Sequence, residues 1–149
     1  MTVKFKDLMK GVAKTWADGL DGRNKRGSDA LREFEVKDGK LSLKAKSPNT
    51  FPGISATPIV SANGAKDGVV WILRSKGWNT PDRSAVLYAY DANDVSHELY
   101  DSNQNVARDH AGAALRFNIP TVVNGHVYVG ARQEVDVYGL LPASSRKPE

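Results

Sequence analysis

The sequence predicts an all-β fold that forms part of a β-propeller, because one strand-and-turn pattern occurs twice. The first copy contains Thr57-Pro-Ile-Val-Ser-Ala-Asn-Gly64, and the second contains Pro120-Thr-Val-Val-Asn-Gly-His-Val-Tyr-Val-Gly130. Asn-Gly favours a type I′ hairpin turn, which needs positive φ at both central residues. The flanking residues are mostly β-branched or aromatic, as in strands. A repeated β-meander of this kind is typical of propellers.

Composition limits the classes of protein to consider. The chain has 149 residues and no cysteine, which excludes disulfides, thiolate catalysis and Cys-ligated metal. No run of 18 apolar residues occurs, so no transmembrane segment is predicted. The amino terminus lacks the continuous apolar region of a secretory signal, and nothing else in the sequence indicates a compartment.

Residues 1–30 are predicted to form a short N-terminal helix and a basic loop. Apolar residues recur every three or four positions over 3–20, as on a helix packed against its own protein, a membrane surface or a partner. The net charge of +4 combines +5 in residues 1–50 (twelve Lys/Arg, seven Asp/Glu) with −1 in the remainder (nine and ten). The basic cluster of Arg23, Lys25 and Arg26 lies in a Gly/Asn/Ser loop without aromatic residues. It is interpreted as a solvated loop, and no nucleic-acid binding is predicted.

Residues 31–141 are predicted to form a partial propeller of about nine antiparallel strands in two to three blades. Residues 31–45 form half a blade around an Asp-Gly turn, and residues 46–53 form a loop. Residues 54–100 form a full blade, whose second strand, 68–74, is expected to be buried on both faces. Residues 117–141 form a three-stranded last blade, and 142–149 a polar tail.

An incomplete ring leaves unpaired strand edges, which are templates for pairing with another chain. A propeller normally closes with 4–8 blades of four strands. We therefore expect a protein partner, or self-association through the open sheet edges. The alternatives are that the N-terminal helix covers an edge, or that the chain is a segment of a longer propeller.

Six phrases resemble repeats of the pyrroloquinoline-quinone-like (PQQ-like) β-propeller proteins of bacteria, in particular their C-terminal part. They are Asn49-Thr-Phe-Pro-Gly-Ile-Ser-Ala-Thr-Pro58, Ser61-Ala-Asn-Gly64, Gly68-Val-Val-Trp71, Ala85-Val-Leu-Tyr-Ala-Tyr-Asp91, Glu98-Leu-Tyr-Asp-Ser-Asn103 and Pro120 to Gly130. The resemblance implies a non-enzymatic binding or scaffolding segment of a larger propeller. Most relatives of this kind are periplasmic or extracellular.

The alternative implied by the same resemblance is a remnant or subunit of a PQQ-dependent dehydrogenase. The tryptophan-docking motif of those enzymes is only partly present. Ala89 and Asp91 match it, the Thr-Gly turn is absent, and Tyr100 stands in place of Trp. This alternative predicts binding of PQQ and calcium, and therefore a raised melting temperature in their presence. The leading hypothesis predicts no cofactor.

Arg108, Asp109 and His110 are the candidate ligand-binding residues, because the triplet combines a cation, an acid and a base in one loop. In a propeller this loop would face the mouth of the central channel and bind an anion or a polar ligand. The competing interpretation is a network that pins the loop, in which Asp109 caps backbone N–H groups and Arg108 pairs locally. No catalytic or metal-binding constellation is predicted.

Overall fold

The computed structural model describes residues 12–13, 28–52, 57–75 and 84–141, which are almost entirely β-structure. Ten strands lie in these ranges: β1 (Val12–Ala13), β2 (Ser28–Lys37), β3 (Lys40–Pro52), β4 (Ile59–Asn63), β5 (Lys66–Arg74), β6 (Val86–Asp91), β7 (Asp94–Asp101), β8 (Thr121–Val123), β9 (His126–Ala131) and β10 (Glu134–Tyr138). One short helix, α1 (Val106–Asp109), lies in the connection between β7 and β8.

Backbone pairing divides the strands into three antiparallel sheets. The first sheet has the order β1-β2-β3, the middle sheet β4-β5-β6-β7, and the last sheet β10-β9-β8. The prediction of an all-β fold built from antiparallel strands is confirmed. The meander predicted for residues 54–100 is a four-stranded sheet, and the second copy of the pattern is a three-stranded sheet.

The prediction of a helix over residues 3–20 is wrong at Val12 and Ala13. These two residues form the edge strand β1 and pair with Phe34 and Glu33 of β2. An open strand edge supplies hydrogen-bond partners for the backbone, and here that pairing outweighs the helical spacing of the apolar residues. The rest of the predicted helix, the basic loop and the polar tail lie outside the described residues.

The predicted loop at residues 46–53 is also wrong over most of its length. β3 continues to Pro52, and its end pairs with the start of β2. Two prolines fit there because β3 is an edge strand of the first sheet, where one row of N–H groups needs no partner. Pro58, by contrast, directly precedes β4, where a missing N–H costs nothing.

The hairpin turns follow the sequence closely. Asp38-Gly39 and Asn124-Gly125 both have positive φ at the two central residues, as a type I′ turn requires. The turn between β4 and β5 lies one residue later than its Asn-Gly pair suggests, because Asn63 pairs with Lys66. Gly64 therefore occupies the first central position, with φ of 63°.

Two apolar clusters hold the three sheets face to face. Between the first and middle sheets lie Leu31, Phe51, Val70, Ile72, Val86, Tyr88, Tyr90 and Val95, which form the first cluster. Between the middle and last sheets lie Leu73, Ala85, Leu87, Ala111, Ala114, Val127 and Val129, which form the second cluster. The middle sheet is thus covered on both faces.

The strand buried on both faces is β6 rather than the predicted 68–74. Every residue of β6 from Val86 to Tyr90 is buried, and the side chains alternate between the two clusters. β5 begins with exposed residues, and Trp71 is only partly buried. An apolar run indicates a buried strand, but the position of the strand in the stack decides how far both faces are covered.

Candidate functional site

The predicted triplet lies at the end of α1, in the connection between the middle and last sheets. Arg108 and Asp109 form a bidentate ion pair, with Nε–Oδ1 and Nη2–Oδ2 distances of 2.5 and 2.6 Å. The Asp109 side chain is 10% exposed, whereas the Arg108 side chain is about half exposed. His110 is exposed at the carboxyl end of the helix.

Two tyrosines from neighbouring sheets pack around Asp109. The rings of Tyr100 on β7 and Tyr138 on β10 lie 6.5 Å apart in an edge-to-face arrangement. The Tyr138 hydroxyl donates to the Asp109 carbonyl at 3.3 Å. The hydrogen bond from Arg108 lowers the pKa of the Asp109 carboxyl, and a hydrogen bond from Tyr100 adds to this effect. Burial raises the pKa of Tyr138 to about 12.

Arg108 pairs locally, as the loop-pinning interpretation predicts, and its partner is Asp109. The Arg108 guanidinium faces the adjacent carboxylate, so an incoming anion would have to displace Asp109 from a two-point contact. Asp109 in turn connects the middle and last sheets through the two tyrosines. Ligand binding by Arg108, Asp109 and His110 stays a prediction.

A second polar cluster, which the sequence did not reveal, lies at the junction of the first and middle sheets. The Asn49 side-chain amide on β3 donates to the Tyr90 hydroxyl at 3.1 Å and also to the Glu98 carboxyl on β7. Glu98 also shares a hydrogen bond with Asp101. Asn49 is remote from its partners in the chain, and only the packing of β3 against β7 brings them together.

The surroundings of Glu98 disfavour the charged form of its carboxyl group. Burial, together with the hydrogen bond and charge of Asp101, raises the pKa of the Glu98 carboxyl above its ordinary value of 4.5. The stability that protonation confers is therefore complete below pH 4.5 and is lost as the pH rises through the higher pKa of the folded state.

Glu98→Gln is expected to raise the melting temperature at pH 7 by about 3 °C and to leave it unchanged at pH 4. Glutamine imitates the protonated acid and can donate to Asp101 without adding charge. Thermal melting of the wild type and of Glu98→Gln between pH 4 and 8 measures the difference in melting temperature. Glu35→Gln is the control, because Glu35 is exposed and should behave as the wild type. An equal shift at both pH values would contradict the explanation.

The described residues do not fit a calcium site of the kind the dehydrogenase alternative requires. Calcium takes 6–8 oxygen ligands. The carboxyl groups of Glu98 and Asp101 share a hydrogen bond, and the Asn49 group that faces Glu98 is the donating amide nitrogen, so this cluster does not present a set of free oxygen ligands. Among the described residues, no group of three or more His, Cys, Asp or Glu side chains is suited to hold a metal ion.

The two ends of the sheet stack carry exposed apolar faces. On the last sheet, Val123, Val135 and Val137 point away from the second cluster, on the side opposite to the buried Val127 and Val129. We call this side the outer face of the last sheet. Its three valines are 47–64% exposed. Among the described residues of β8, β9 and β10, none on this outer face is Asp, Glu, Lys or Arg.

The opposite end of the stack has exposed apolar side chains on the β2–β3 hairpin, on a side that Arg32 and Lys46 share. Val36 pairs with Leu41 and Phe34 with Leu43, so these four side chains share one side, the outer face of the first sheet. Val36, Leu41 and Leu43 are 47–64% exposed. Every residue from Glu35 to Lys44 is exposed, so this hairpin projects from the stack as an arm.

Comparisons with known proteins gave no match to a family model, a curated protein or a solved structure. In the part of the chain that the structure covers, no helix is sufficiently long and apolar to span a membrane.

Proposed function

We propose that this chain is a non-enzymatic binding and scaffolding segment of a larger β-propeller of the PQQ-like type, and that its two outer faces are its binding surfaces. The observation that carries the proposal is the contrast between the sheets. Within the described residues, apolar clusters cover the middle sheet on both faces and the first and last sheets on one face each.

Burial of the outer faces would be favourable because aliphatic side chains there contact water. Burial of apolar surface contributes about 25 cal/mol per Å². Inside the stack, each contact between two sheets pairs one apolar face with another, and the outer faces could be covered in the same way. Further sheets packed on the outer faces would extend the same arrangement toward a closed ring, which has few or protected edges.

A photo-crosslinker attached to the purified chain at Val137 or Leu41 tests whether these faces bind protein in a cell extract. The wild-type chain has no cysteine, so Val137→Cys and Leu41→Cys each give one labelling site. We expect crosslinked products from both sites. Ser42→Cys is the matched control, because Ser42 is exposed on the same arm but pairs with Glu35 on the opposite side of the hairpin, and it should give little product.

A yield of crosslinked product at position 42 as high as at positions 41 and 137 would indicate unspecific contact. The absence of crosslinked products at positions 41 and 137 would exclude the proposal. Mass spectrometry of the products identifies the partner. A partner that is a second copy of the chain and a partner that is a different protein both agree with a binding role for the faces.

A further inference from the structure

The hydrogen bond between the carboxyl groups of Glu98 and Asp101 lies near the end of β7 and requires a proton between two acids. Asp101 is fixed in its position, because its Oδ1 atom accepts the backbone N–H of Asn103 at 2.7 Å. Two ionised carboxylates in contact repel each other, whereas one shared proton makes the same contact favourable. The pair therefore has two states that differ by one proton.

Glu98 uses its other contacts to hold the first sheet. Its Oε2 atom accepts a hydrogen bond from the Asn49 amide on β3 and another from the Tyr90 hydroxyl at 3.5 Å. The same amide donates to this hydroxyl at 3.1 Å, so the three groups form one connected set across the junction. With Oε2 occupied in this way, the protonated acid can donate from Oε1 to the Asp101 carboxylate. One carboxyl group thus links the proton to the end of β3.

We propose that Glu98 and Asp101 form a proton-operated latch, which holds the end of β3 on the middle sheet when the two acids share a proton and releases it when both are ionised. Loss of the proton places two negative charges side by side, and rotation of Glu98 away from Asp101 relieves their repulsion. The same rotation withdraws Oε2 from Asn49. The inference goes beyond the proposed function and does not depend on which partner the outer faces bind.

The end of β3 is suited to local release. β3 is an edge strand of the first sheet, so fewer backbone contacts hold it than hold a central strand. Between this end and the middle sheet, Asn49 makes the polar contact, and Phe51 makes the apolar contact with Tyr88 and Tyr90. Release of Asn49 leaves the contact of Phe51 in place. The latch therefore changes how firmly the first sheet, with its outer face, is attached.

The charged and titratable groups around the pair come from neighbouring strands. β6 contributes the hydroxyls of Tyr88 and Tyr90, and burial raises the pKa of both, so they stay neutral over the range in which carboxyl groups titrate. β5 contributes Arg74, whose guanidinium lies 5.0 Å from the centre of the Tyr88 ring. β3 contributes the neutral amide described above. Among the charged groups that the structure describes, Asp101 is the one that acts on Glu98.

The direction of the titration follows from these surroundings. Burial, with the hydrogen bond and charge of Asp101, raises the pKa of Glu98 above 4.5, although the hydrogen bonds from Asn49 and Tyr90 act in the opposite sense. A group with a raised pKa stabilises the folded arrangement fully below its ordinary value, and the effect is lost as the pH rises through the raised value. The latch is therefore closed in acid and opens toward neutral pH.

Hydrogen exchange followed by NMR at pH 5 and pH 8 tests the latch in the full chain. After correction for intrinsic exchange rates, protection of the backbone amides between residues 46 and 51 should fall by about three- to tenfold from pH 5 to pH 8, because a pKa difference of one unit corresponds to a tenfold change in an equilibrium. The amides of Val127 and Val129 on β9 are the internal reference and should keep their protection. The side-chain amide signal of Asn49 should shift with the titration of the Glu98 carboxyl carbon.

Glu98→Gln and Asp101→Asn each remove one charge of the pair and should abolish the pH dependence at the end of β3. Glutamine keeps an acceptor for Asn49 and can donate to Asp101, so this variant should be as protected at pH 8 as the wild type is at pH 5. Glu35→Gln is the matched control. It removes an exposed carboxylate of the arm and should keep the pH dependence of the wild type.

Equal protection of the end of β3 at pH 5 and pH 8 in the wild type would overturn the inference. A pH dependence that persists in Glu98→Gln or in Asp101→Asn would also overturn it, because the repulsion between the two acids is then not the cause. A loss of protection that is as large in β9 as in β3 would do the same. Exchange is measured on the purified chain without a partner, so failure of the latch leaves the proposed binding function to the crosslinking experiment.

Discussion

Phe51→Ala is expected to lower the free energy of unfolding by about 3–5 kcal/mol, because it opens a cavity in the first cluster. Phe51 is 3% exposed and lies at the end of β3 in the first sheet. Its ring makes edge-to-face contacts with Tyr88 and Tyr90 of the middle sheet, with centroid distances of 5.4 and 6.4 Å. Such aromatic pairs contribute beyond the burial of their area.

Urea denaturation measures the loss, and hydrogen exchange shows where it acts. We expect faster exchange in β2 and β3, which the first cluster joins to the middle sheet, and a smaller change in β9, which packs through the second cluster. Phe51→Leu is the matched control and should cost less than about 1.5 kcal/mol, because most of the volume is kept. A uniform change in exchange over all three sheets would contradict a separate role for the first cluster.

The hairpins were predictable because their signals are local. Asp38-Gly39 and Asn124-Gly125 specify their turns through backbone conformation alone, independently of what packs on the hairpin. The register then follows from the turn, so Val123 faces His126 and Val36 faces Leu41. The meander of four strands was predictable for the same reason.

The clusters between sheets were not predictable, since they depend on contacts far apart in the sequence. Nothing near Asn49 indicates that its amide meets Glu98, and β3 was not expected to extend that far. The triplet at Arg108 was identified from its residue types, but its surroundings come from Tyr100 and Tyr138 on two different sheets. A single sequence shows which groups are present and not which sheets bring them together.

A buried acid also lies at the junction of the first and middle sheets, and the sequence did not indicate its burial. Glu33 lies on β2, and a charged residue on a strand is expected to face water. The structure places its side chain in the interior, 3% exposed, with Lys44 Nζ 2.6 Å from its Oε1 atom. Lys44 Nζ also donates to the Asn93 carbonyl at 2.6 Å, and the backbone N–H of Val95 donates to Glu33 Oε2 at 3.4 Å. The first and middle sheets are thus joined by a polar contact beside the first cluster.

Lys44→Met is therefore expected to lower the free energy of unfolding by about 2–3 kcal/mol. The substitution leaves the Glu33 carboxylate buried without its cation, which costs about 3–5 kcal/mol for a fully buried pair. The value here is lower because half of the Lys44 side chain is exposed. Lys46→Met is the matched control, since Lys46 is an exposed lysine of the same strand, and it should change stability by less than about 0.5 kcal/mol.

A double-mutant cycle separates the loss of the cation from the cost of the buried acid. Lys44→Met combined with Glu33→Met should recover most of the stability, because the uncompensated carboxylate is then absent. The hydrogen bond that Lys44 donates to Glu33 raises the pKa of Lys44 above its ordinary 10.5, so its contribution is complete below pH 10.5 and is lost as the pH rises through the folded-state value. The difference between wild type and Lys44→Met should accordingly shrink in strongly alkaline solution. A double variant as unstable as Lys44→Met would mean that the lysine stabilises the junction through packing or through Asn93, and not by compensating Glu33.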